Sequence, residues 1–67
     1  MTEGHLVEII VPGEKPSYVR TRIPDPHQAE RMVRVHYSLP ADVRVVARHS
    51  LDLESVSDLA IGGVGLK

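Results

Sequence analysis

Sixty-seven residues with a formal net charge of −1 and no cysteine make at most one domain, because a chain of about 60 residues buries only about 60% of its unfolded surface. The lack of cysteine removes disulfides, zinc ribbons and thiol catalysis together. The longest uninterrupted apolar run, Ile9-Ile10-Val11-Pro12, falls far short of the roughly 18 residues of a transmembrane helix. The first residues also lack the charged-then-apolar pattern of a secretory signal, so the expectation is a soluble cytoplasmic domain with no membrane contact.

Hydrophobic residues make up 42% and charged residues 25% of the chain, the balance of a globular domain rather than of a disordered one. There is no Phe or Trp, and the aromatics are Tyr18 and Tyr37. The core must therefore be built from Val, Ile and Leu, with Met32 as a flexible filler. A core of side chains that small is marginal for a lone chain of this length, and self-association into a homo-oligomer is expected.

In chain order, residues 1–4 carry no pattern and read as a frayed end. The β-branched run His5–Val11 reads as a strand and stops at the turn composition Pro12-Gly13-Glu14-Lys15-Pro16. Ser17–Ile23 alternates as a second strand. A turn centred near Gly13 and Glu14 places Val11 opposite Ser17, Ile9 opposite Val19, Val7 opposite Thr21, His5 opposite Ile23, and Glu8 opposite Arg20. One hairpin face then holds Val7, Ile9, Val11, Val19, Thr21 and Ile23. The other holds Leu6, Glu8, Ile10, Tyr18, Arg20 and Arg22.

Asp25 reads as a helix N-cap, with Pro26 at the first helical position and Gln28 three residues after the cap. Ala29, Met32, Val33, His36 and Tyr37 recur at helical spacing, Glu30 precedes Arg34 by one turn, and Leu39-Pro40 supplies a stop. The rival reading takes residues 32–39 as a strand, since Val33, Val35, Tyr37 and Leu39 also alternate. Asp42–His49 reads as a third strand, with Val43, Val45 and Ala47 on one side and Arg44, Val46 and Arg48 on the other. Ser50 or Asp52 can cap a last short helix holding Leu53, Val56, Leu59 and Ala60, which Gly62-Gly63 ends. The expected architecture is a single α+β domain over 1–67, ordered from 5 to 61, with a hairpin, a helix and a third strand (ββαβ), an open C-terminal element and a flexible end at 62–67. The alternative is an all-β small barrel or meander.

The four histidines, His5, His27, His36 and His49, do not share the spacing that puts two imidazoles on one helix turn, and they read as ordinary surface or half-buried residues. No metal or cofactor is expected. Ser50, Asp52, Glu54, Ser55, Ser57 and Asp58 read as caps and solvated surface, because a nucleophile also needs a base and fixed oxyanion donors in a concave site. The glycines of the tail lack P-loop spacing. In layout alone, the order hairpin, helix, strand and Gly62-Gly63 is similar to the ubiquitin-like sulfur carriers, although four residues follow the glycines here.

The arginines carry the functional expectation. Leu6, Glu8, Ile10, Tyr18, Arg20 and Arg22 of the hairpin's outer face join Arg44, Val46 and Arg48 of the third strand. Aliphatic groups with Tyr and Arg, ringed by charge, have the composition of an interface centre. The chain therefore reads as a non-enzymatic protein-interaction or regulatory module that binds a protein partner, its own copy included. The runner-up is a nucleic-acid-binding accessory protein that uses the arginine and tyrosine face, a reading weakened by the net charge of −1.

Overall fold

The computed structural model describes residues 2–66, with only the backbone of residue 66. Met1, assigned above to a frayed end, and Lys67, the lysine of the glycine-rich tail, lie outside the described residues. The elements in chain order are β1 (Gly4–Ile10), β2 (Ser17–Thr21), α1 (Pro26–His36), β3 (Arg44–Leu51), α2 (Leu53–Val56) and β4 (Val64–Leu66). Among the described residues the four strands form one antiparallel sheet in the order β3-β1-β2-β4. The fold is α+β, and the all-β alternative is excluded by the helix over residues 26–36.

The helix starts where capping chemistry places it. The Asp25 carboxylate accepts from the backbone N–H of His27 at 2.9 Å and of Gln28 at 3.4 Å, and Pro26 stands at the first helical position. It ends in paired bonds from Ser38 N–H to Val35 O and from Leu39 N–H to Arg34 O. This is a Schellman end, with Ser38 at φ 52° in the position that usually belongs to glycine.

The β1–β2 hairpin forms in a register two residues away from the expected one. His5 faces Thr21, Val7 faces Val19, Glu8 faces Tyr18, Ile9 faces Ser17, and Arg20 faces Leu6. The cause is the connection. A turn from Val11 to Glu14 closes with a 3.0 Å bond, Gly13 takes φ +81°, and Lys15-Pro16 then lead into β2 as extra length. Because side chains alternate with period two, a two-residue slip leaves every side chain on its expected face.

The core lies between the sheet and α1. Val7, Ile9, Val19 and Ile23 pack with Ala29, Val33 and Val43, and Val11, Leu39, Val45, Ala47 and Val64 close its margin. Met32 and Tyr37, expected on the buried side of the helix, are instead exposed. Glu30 and Arg34 do not pair with each other. Glu30 Oε2 accepts from the backbone N–H of Ala47 at 2.8 Å, and Arg34 donates to Val43 O and Pro40 O. Glu30 thus occupies the outer edge of β3, the end strand of the sheet, while Arg34 ties down the segment that leads into it.

Two ends expected to be loose take part in the fold. Gly4 opens β1 against Leu51, and a Cβ built on it would stand 1.9 Å from Thr21 O. Val64–Leu66 pair with β2, and Arg22 extends that ladder through bonds with Gly62 and Gly63. The glycine pair is thereby tied into the sheet, and the layout similarity to sulfur carriers, which display a free Gly-Gly end, stops there. The last helix is shorter than expected. Asp52 caps only Leu53–Val56, while Ser50 and Leu51 belong to β3.

Candidate interaction surface

Eight of the nine residues of the expected surface lie on strands and share the sheet face opposite α1, whereas Arg22 follows β2 and lines a hollow beside α1; the nine divide into two groups. Arg20 leaves the open face. Its guanidinium forms a two-pronged bond to the Asp58 carboxylate, both prongs at 2.8 Å, and donates to Ser55 O. Arg22 donates to Leu59 O at 2.8 Å. These bonds draw residues 52–60 across the end of the sheet that carries Leu6 and Arg20. There Val56 is fully buried, its Cγ1 close to where a Cβ on Gly4 would stand. Glu8 stands directly opposite Tyr18, not Arg20 as expected.

The second group is Glu8, Ile10, Tyr18, Arg44, Val46 and Arg48. Glu8 pairs with Val46, so alternation puts Arg48 on the same face, and β3 bulges at Arg48, where the register against β1 shifts between Ala47 and His49. Arg48 Nε donates to Glu8 Oε1 at 2.6 Å, and the Tyr18 hydroxyl donates to Glu8 Oε2 at 3.0 Å. Glu8 is only 8% exposed, and these two donors hold its carboxyl below the usual carboxylate range, Arg48 contributing most. The same carboxylate holds the Tyr18 hydroxyl above its usual value. Arg44 is exposed, Tyr18 keeps 38% of its area in solvent, and Ile10 and Val46 are half-buried.

The other candidate chemistry resolves into structural bonds. Asp52 accepts from Ser55 N–H, Ser57 Oγ donates to Glu54 O, and Asp58 receives Arg20. His5 is buried, with Nδ1 3.1 Å from Ile23 O, and His36 stacks edge-on against Tyr37. Among the described residues no three His, Cys, Asp or Glu side chains converge as a metal site. Among the described residues no helix is long and apolar enough to cross a membrane.

One feature is absent from the expected surface. A groove of about 440 Å³ runs between α1 and the turn at Ile61-Gly62, with Ile23, Pro24, Met32, Val35 and Ile61 as its apolar lining and Arg22, Gln28 and Arg31 as its polar lining. Ile61 is 86%, Val35 68% and Met32 42% exposed. The sequence does carry a signal for it. Gln28, Arg31, Met32 and Val35 recur at i, i+3, i+4 and i+7, a second stripe beside the buried Ala29 and Val33. Comparison of the chain with protein-family models, curated proteins and solved structures finds no match.

Proposed function

We propose that the protein is a small non-enzymatic interaction module that binds through the open end of its sheet, with a second copy of itself as partner. The observation that carries this reading is the incomplete cover of that face. Residues 52–60 reach over the Leu6 and Arg20 end only, and Tyr18, Ile10 and Val46 keep apolar area in solvent beside Arg44 and Arg48. Aliphatic, tyrosine and arginine side chains in one patch make an interface centre rather than a solvated surface. Arg44 stands exposed at the margin of this patch, where a two-fold can bring it to the partner copy, and Glu8, held by Arg48 and Tyr18 within each copy, offsets part of the positive charge of the face. Arg20 and Arg22, the arginines expected in that role, are engaged by Asp58 and Leu59. The thin core adds support, since its buried apolar side chains are Val, Ile and Ala.

Sedimentation equilibrium tests the reading. The wild type is expected to be dimeric at about 100 µM, Ile10→Glu combined with Tyr18→Glu to be monomeric, and Ser57→Glu to behave as the wild type. A wild type that stays monomeric at that concentration removes self-association. A gel shift with mixed DNA and RNA at about 50 mM salt that vanishes by about 200 mM would reassign Arg44 and Arg48 to phosphate contacts.

A further inference from the structure

We infer that the groove along α1 is a second binding site, distinct from the sheet face, and that it takes an acidic amphipathic helix of a partner protein. Three observations lead there. First, the apolar lining is built of side chains a stable monomer has no reason to display together: Ile61, Val35 and Met32 are all exposed, and they lie in one concavity. Second, the α1 stripe from Gln28 to Val35 spans about two helical turns. A second helix laid along it meets anchors at its own i, i+3 and i+7 spacing, the helix-in-groove mode of recognition. Met32 adds an unbranched side chain that adapts to its contact. Third, the charges of the lining are Arg22 and Arg31, with no acid among the lining residues.

The charge decides between occupants. A second copy docked groove-to-groove across a two-fold would bring the two Arg31 side chains, near the middle of the stripe, against each other in a partly desolvated contact. A partner helix with leucines on one face and carboxylates flanking them reverses that penalty, since its acids meet Arg31 and Arg22. Arg22 is already held in place by its bond to Leu59 O, so little ordering is needed to present it. A small apolar ligand is a poor fit, because such sites bury most of the ligand, and Ile61 leaves this groove open to solvent.

Fluorescence anisotropy on the full chain tests the inference. The probe is a labelled peptide of about 12 residues with leucines at i, i+3 and i+7 and glutamates elsewhere, alongside the same peptide with lysines for glutamates. The glutamate peptide is expected to bind with a Kd on the order of 10–100 µM, and the lysine peptide at least about tenfold more weakly. Arg31→Glu should invert that preference, a result that loss of folding cannot produce. Ile61→Ser, at a site so exposed that the fold does not depend on it, should weaken the glutamate peptide about tenfold without moving the melting temperature. Absence of binding by either peptide, equal binding of both, or an Arg31→Glu protein that keeps the wild-type preference would each overturn the proposal. So would conversion of a wild-type dimer to a monomer by Ile61→Ser, which would give the groove to a second copy. Ile10→Glu combined with Tyr18→Glu should leave peptide binding intact, so failure of the sheet-face dimer and failure of this site are read separately.

Discussion

Glu8 shows how one acid sets the character of a surface. Its carboxylate lies on an otherwise arginine-rich face, accepts from Arg48 and Tyr18, and cancels one of the two positive charges that nucleic acid would need there. Because the folded protein holds this carboxyl below its ordinary value of 4.5, it contributes stability that is fully present above that value and is lost as pH falls through the folded one. Asp58 and Asp52 are lowered too, by Arg20 and by the Ser55 backbone respectively, and act in the same direction, their contribution complete above 3.8 and lost below it. Glu8→Gln is therefore expected to flatten part of the loss of stability between about pH 5 and pH 3, read from urea midpoints across that range. Tyr18 works in the opposite direction. Its raised value makes its contribution complete below pH 10 and lost as the hydroxyl ionises above it. Ser38 offers an independent check on backbone conformation. At φ 52° it occupies a left-handed position that disfavours a side chain, so Ser38→Gly should stabilise the fold by about 0.5 kcal/mol, measured as a higher urea midpoint at unchanged slope.

The start of α1 could be read from Asp25-Pro26 because capping is local chemistry, complete within four residues. The faces of the hairpin could be read for a similar reason, since alternation survives a slip of two. What could not be read depended on residues far apart in the chain. No local signal tells Arg20 to leave Glu8 for Asp58, or tells Arg48 of the distant β3 to take its place. The C-terminal glycines resemble a loose end until Arg22 supplies their hydrogen-bond partners. Met32 was indistinguishable by spacing from a core residue, because α1 carries two apolar stripes and the sheet covers only one. The Arg20–Asp58 bond yields a further prediction. Asp58→Asn should detach residues 52–60 and open them to limited proteolysis, while amide exchange of β1 and β2 stays near the wild-type rate. Equal loss of protection throughout the sheet would show that this segment is part of the cooperative core.

The molecule as a whole is a thin sheet with one face closed by α1 and the other only partly closed by residues 52–60. If the open part is the dimer contact, the thermal midpoint should rise with protein concentration, because association stabilises the folded state by mass action. A midpoint that stays constant between about 5 and about 200 µM would mean that folding is independent of association. The strand order β3-β1-β2-β4 also has a kinetic consequence. The two strands that are neighbours in the chain form the centre of the sheet, and a hairpin of that kind closes in about 1–10 µs. Both edges arrive late, since Val7 must find Ala47 and Val19 must find Leu66 across most of the chain. Loop closure of that span costs entropy before any contact repays it, so the rate of folding is set by the edges and not by the hairpin. Until they dock, the central pair exposes two unpaired strand borders, and the concentration at which refolding is carried out decides whether its own edges or a neighbouring chain reach them first.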